Sequence, residues 1–149
     1  MVKQGRSFSA RERHHCFLNL RNGSFCDISA ISGLDLPDDG RGVARADWDR
    51  DGDLDFFVSN RSAPRLRFFR NDLPGRNGFI TIRLEGTVGN RDAIGARVNV
   101  HLGGEEDVPL AKTLRAGDGF LSQSSKWLHF GLGDHTGPVT VEVRWPNGS

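Results

Sequence analysis

The chain has little of what several specialised protein classes require. Its two cysteines, Cys16 and Cys26, are too few for a disulfide scaffold or a zinc cluster. No apolar run approaches the roughly 20 residues of a membrane-spanning helix. Neither sign of charge dominates, because 20 basic against 19 acidic side chains leave a net charge of +1. A chain so balanced exerts no strong overall pull on nucleic acid. The N-terminus is basic (Lys3, Arg6, Arg11, Arg13) but has no apolar h-region, so no secretory signal is expected on this chain. Glycine is the exception to these shortages. It numbers 19 of 149 residues, about 13% against an average near 7%. So much glycine with so few helix formers excludes an all-helical bundle and points to short strands and tight turns. A domain of this size buries roughly 68–70% of its unfolded surface, enough for a core of its own.

What is there is mostly period-2 alternation, the mark of half-buried strands. Residues 16–20 and 25–28 read as a hairpin turning at Asn22-Gly23. With a two-residue turn, Asn19 faces Cys26 and Cys16 lies on the other face, so both thiols are expected to be free. Further strands are expected over 43–48, 54–58, 65–70, 79–84, 94–102, 108–114, 127–131 and 139–145, with turns at Gly103-Gly104 and at 117–119. No ten-residue window carries a helical stripe. The Pro- and Gly-bearing stretch 73–78 is the best candidate for a boundary. The fold expected is all-β.

The most specific motif is Asp47-Trp48-Asp49-Arg50-Asp51-Gly52-Asp53-Leu54-Asp55. Its five carboxylates repel one another by about 1 kcal/mol per pair at 4 Å even in bulk water. Crowding them between two apolar strands calls for a compensating cation. Hard oxygen ligands at loop positions 1, 3 and 5, with glycine at 6 for the sharp turn, are what Ca²⁺ requires. Asp47, Asp49, Asp51 and Gly52 fill these places. Asp53 would add its backbone carbonyl and Asp55 a side-chain oxygen. An EF-hand is excluded, because position 12 is Val58 rather than a bidentate Glu and the following residues are strand-like. The competing readings are a solvated acidic turn and a catalytic Asp pair. The latter lacks a supporting basic or hydroxyl motif.

These residues resemble known families. Asp47 to Asp55 followed by Phe56-Phe57-Val58 is similar to the Ca²⁺ loop of FG-GAP (VCBS-type) β-propeller repeats, found also in integrin α-subunits. Phe17-Leu18-Asn19 with Asn22-Gly23-Ser24-Phe25 and Asp27-Ile28-Ser29 resembles the strand–turn–strand that accompanies them. Gly89-Asn90-Arg91-Asp92-Ala93-Ile94-Gly95-Ala96-Arg97-Val98 resembles the opening of the ASPIC/UnbV domain. Residues 116–125 and His129-Phe130-Gly131-Leu132-Gly133 resemble its middle, and Val141-Glu142-Val143-Arg144-Trp145-Pro146-Asn147-Gly148 its closing strand. Together they resemble the C-terminal part of proteins related to cartilage acidic protein. The resemblance implies an FG-GAP/VCBS-like repeat over 1–75, with propeller-blade-like antiparallel strands, and an ASPIC/UnbV-like β-sandwich or barrel-like domain over 76–149. A propeller closes with roughly 4–8 blades, and 1–71 holds little more than one. A fragment is therefore expected, or a minimal version whose open edges are covered by packing its halves together or by self-association.

Weaker signals have blander explanations. His14, His15, His101, His129 and His135 show no ligand spacing. Ser122, Ser124 and Ser125 near His129 lack a nucleophile elbow, and Gly131-Leu132-Gly133 lacks the third glycine and the helix of a phosphate cradle. Arg61, Arg65, Arg67 and Arg70 fit a half-exposed strand, and Trp127 and Trp145 fit core or half-buried packing. The function expected is a non-enzymatic, Ca²⁺-stabilised interaction module. It would belong to a secreted, periplasmic or surface protein, bind a protein or glycan, and have no nucleic-acid partner and no membrane span. The alternatives are a metal-dependent hydrolase using the Asp cluster and a carbohydrate-binding domain using Trp48 beside the ion.

Overall fold

The computed structural model describes residues 11–72, 74–75, 77–104 and 107–148. Lys3 and Arg6 of the basic N-terminus, and Leu73 and Arg76 of the boundary stretch, lie outside them. The architecture is all-β, with antiparallel strands in four small sheets and no closed barrel among the described residues.

β1 (Phe17–Asn19) and β2 (Phe25–Asp27) form the first hairpin. Its register corrects the sequence expectation by one residue: Cys26 faces Leu18, and Asn19 faces Phe25. The reason is the turn, which is longer than two residues. Leu20 N–H donates to the Ser24 carbonyl, with Arg21 and Gly23 both at positive φ inside the loop. Both thiols are free. A single helical turn, α1 (Ser29–Ser32), follows and was not expected. Asp27 starts it by accepting from both the N–H and the hydroxyl of Ser29, and Gly33 in the left-handed region ends it.

β3 (Gly40–Ala46), β4 (Asp55–Asn60) and β5 (Leu66–Phe69) make an antiparallel meander, with β4 in the centre. Ala46 pairs with Asp55, so the Asp-rich stretch is the β3–β4 connection itself. One face carries Trp48, Phe57 and Phe68, with the two Phe rings 4.7 Å apart and Trp48 set edge-on to both. The acidic and basic blocks of the sequence meet here. Asp38 is buried against the Arg67 guanidinium, and Asp39, also buried, lies 3.0 Å from Arg41.

β6 (Gly78–Ile82) pairs with β9 (Leu128–Gly133), and β7 (Arg97–His101) lies between β8 (Leu110–Thr113) and β10 (Thr140–Arg144). Alternate residues of β7 and β9 point inward, as the pleat dictates. Val98, Val100, Leu128 and Phe130 meet Ala93, Ala96 and Leu114 in a single apolar cluster, flanked by Ile80, Ile82, Val143 and Trp145. Trp145 packs against this core as expected. Trp127 is half exposed, with Arg83 Cζ 5.8 Å from its ring centroid.

The two halves of the chain touch along β3. The Ser125 N–H donates to the Arg45 carbonyl, and the Arg45 N–H donates to Ser124 Oγ. A Cβ on Gly42 would come within 2.9 Å of the Phe120 carbonyl oxygen. The 117–125 loop thus runs against the free edge of β3, where an unpaired strand would otherwise offer its hydrogen bonds to another chain.

Candidate metal centre

The β3–β4 connection is shaped by two residues in the left-handed region, Arg50 and Gly52. Gly52 is required for a second reason. A Cβ there would fall 2.1 Å from the ring of Phe79 on β6, so the loop is pressed against the other half of the chain. This tight turn brings together Asp47, Asp49 and Asp51, whose carboxylates each offer an oxygen within 4.8 Å of the others.

The remaining two carboxylates of the motif lie differently. Asp55 is buried at the start of β4. Its Oδ2 accepts the Trp48 N–H and its Oδ1 the Asn71 N–H, both at 2.9 Å. It closes the loop and ties down the segment after β5. Asp53 donates its N–H to Asp51 Oδ1 at 2.9 Å, which fixes the Asp51 carboxylate.

Two electrostatic features bear on whether these groups suit a cation. Asp47 Oδ1 is buried and has no hydrogen-bond partner among the described residues. Buried polar atoms are nearly always paired, and leaving a carboxylate oxygen unpaired is costly. Burial pushes the Asp49 carboxyl above its ordinary value, with the charges of Asp51 and Asp55 adding to the effect. A hard cation among Asp47, Asp49 and Asp51 answers both, supplying a partner for the orphaned oxygen and cancelling the repulsion. The donor set, all oxygen, fits Ca²⁺.

Against the loop lies a cleft of about 830 Å³. Arg45, Asp47, Arg50 and Leu54 form one wall, and residues of β6, β8, β9 and the 118–127 loop form the other. His129 stacks on Phe79 with centroids 5.5 Å apart. Its pKa is lowered, first by burial and then by Lys112. Lys112 donates to the His129 carbonyl and is itself shifted down by burial. In the sequence Ser124, Ser125, Trp127 and His129 of this wall carried only bland readings, and their meeting with Phe79 and Lys112 was not expected, since it comes about only in the folded chain.

The other histidines are scattered. His101 bonds Asp107 at 2.6 Å, and His14 Nε2 is buried beside Gly40. Trp48, expected as a sugar-stacking residue in one alternative, forms the exposed rim of the Phe57–Phe68 face.

Residues 86–149, which carry β7 to β10, match the family model described as ASPIC and UnbV. Over 64 residues the chain is 39% identical to cartilage acidic protein 1 of Mus musculus, covering 42% of this chain and 10% of that protein. The Homo sapiens protein of the same name is 38% identical over the same length, again 42% of this chain and 10% of the relative. The chain therefore matches about a tenth of the length of these curated relatives.

Proposed function

We propose that this chain is a non-enzymatic, calcium-stabilised β interaction module of a secreted, periplasmic or cell-surface protein, with a protein or glycan as its partner. Asp47, Asp49 and Asp51 supply side-chain oxygens to the ion and Asp53 its backbone carbonyl, while Asp55 holds the loop closed through two backbone N–H groups. The observation that carries this reading is Asp47 Oδ1, buried and without a hydrogen-bond partner among the described residues, within a three-carboxylate cluster. The ion's part is structural. It neutralises the loop and pins the surface on which Phe79 and the cleft are built.

The organisation proposed is an FG-GAP/VCBS-like repeat over 1–75 and an ASPIC/UnbV-like domain over 76–149. The three-stranded meander with its acidic first connection supports the former, and the family match supports the latter. The relatives' name, a cartilage protein, supports an extracellular place.

Thermal unfolding in Ca²⁺, in Mg²⁺ and in chelator tests the ion. Saturation at 100 times the dissociation constant adds about 2.7 kcal/mol, a rise of about 5–10 °C for a chain of this size. The rise should be specific to Ca²⁺ and absent in Asp51→Ala. Identical melting under all three conditions would overturn the ion site.

A further inference from the structure

The cleft beside the Asp loop has a charge pattern that the proposed ion does not use. Its volume of about 830 Å³ falls within the roughly 300–1,000 Å³ typical of small-ligand sites. Two of its charges cancel: Arg45 lies 2.9 Å from Asp118 Oδ2, and Asp118 Oδ1 accepts the Ser124 N–H. Asp47 faces the cleft from the loop, where its free oxygen is the one assigned to the cation. Arg50, Lys112 and Arg115 remain, and none has a carboxylate partner among the described residues. Lys112 is half-buried over the Phe130 ring, 5.3 Å from its centroid, so its ammonium is held in place rather than waving in solvent.

The rest of the lining is not that of a phosphate cradle. Among the described residues the single helix is one turn long and lies in the N-terminal segment, so no helix N-terminus faces the cleft. Instead the walls present flat aromatic surface, from Phe79 and half-exposed Trp127, and the hydroxyls of Thr81, Thr113 and Ser125. Flat apolar faces beside hydroxyl and cationic donors suit a ring that is apolar on its face, hydroxylated at its edge and anionic in its substituents.

We propose that this cleft binds an acidic saccharide, a short run of sugar rings bearing carboxylate or sulfate groups. Arg50, Lys112 and Arg115 receive the anionic groups, and Trp127 offers a face to a ring. This rests on the interaction-module reading and names its partner class, but it does not require the ion.

The test is calorimetric titration of the full chain, at low and at physiological salt, in Ca²⁺ and in chelator. The probes are a tetragalacturonate, a sulfated tetrasaccharide and an uncharged cellotetraose. At least one acidic probe should bind, and the uncharged one should bind about tenfold more weakly or worse. The tighter acidic probe tells carboxylate from sulfate. The double variant Arg50→Gln/Arg115→Gln changes two exposed side chains, so folding should persist. The double variant should weaken the acidic probe about tenfold, and Arg115→Gln alone, which lies outside the Asp loop, should weaken it in part and leave the Ca²⁺ melting shift intact. Failure of both acidic probes at millimolar concentration, equal binding of the uncharged probe, or an unaffected double variant would overturn the proposal. Acidic-probe binding in a chain that shows no Ca²⁺ shift would remove the ion and keep the saccharide site, and the converse result would do the reverse.

Discussion

Among the described residues, the stretch from Ala93 to Phe130 buries seven apolar side chains in one cluster. The stretch from Ser29 to Asn60 buries five polar or charged ones (Ser29, Asp38, Asp39, Asp55 and Asn60) and a single large apolar one, Val58. The same chain thus solves the folding problem twice. One half takes its stability from apolar area removed from water, a term of about 25 cal/mol per Å² that changes little with pH or ionic conditions. The other half depends on carboxylates whose burial is tolerable only when each is paired, by a backbone N–H, by an arginine or by a cation. Its stability should follow the solution conditions accordingly.

The largest expected effect lies in the apolar half. Phe130→Ala removes a fully buried ring from the centre of the cluster and should cost about 3–5 kcal/mol. Denaturant unfolding with and without Ca²⁺ would measure it. The loss should be the same in both, because none of the seven clustered residues belongs to the acidic loop. A loss that depended on Ca²⁺ would break the division between the halves.

An intermediate effect is expected at Asp38. Its hydrogen bond from Arg67 holds the carboxyl below its ordinary value, against the opposing effect of burial. A folded-state pKa depressed in this way gives stability that is fully present above the unfolded value near 3.9 and is lost as pH falls through the folded one. Arg67→Gln removes the depressing partner and leaves the carboxyl buried. Melting followed from pH 6 down to pH 3 should therefore fall less steeply in the variant than in the parent, from a lower starting point. Parallel curves would mean that the pair contributes nothing to the pH dependence.

These contrasts explain what could be read in the sequence. Every expected strand is present, since inward and outward residues alternate in β7 and β9 and glycines mark many of the turns between strands. The spacing of Asp47, Asp49 and Asp51 foretold their convergence, because a tight turn with Gly52 at its apex leaves them few other places to go. Local facts escaped where the pattern was too short. Ser29–Ser32 is one turn, below the length at which a helical period can register, and the β1–β2 register slipped by one because the turn is wider than Asn22-Gly23 implies. Long-range polar pairing escaped entirely. Nothing in the run 61–70 says that Arg67 answers Asp38 across 29 positions. Nothing in the second half marks Phe79 as the ring that forbids any residue but glycine at 52.

The smallest effect concerns the seam where the two kinds of stability meet. Arg45 bonds Asp118 at 2.9 Å, with its own side chain half exposed, a setting in which ion pairs contribute about 0.2–1 kcal/mol. The backbone beneath is tied independently, by the Ser125 N–H to the Arg45 carbonyl and by the Arg45 N–H to Ser124 Oγ. Arg45→Ala keeps those backbone bonds and removes only the charge pair. Its melting temperature should therefore drop by little, and less still in high salt, where exposed charges are screened. Hydrogen exchange at the amides of Arg45 and Ser125 separates the two contributions. If the seam is held by backbone bonds, both amides stay protected in the variant. If the guanidinium is what docks the 117–125 loop onto β3, protection at Ser125 falls while β7 and β9 remain as slow as in the parent, and the seam along β3 would then be held by an exposed ion pair.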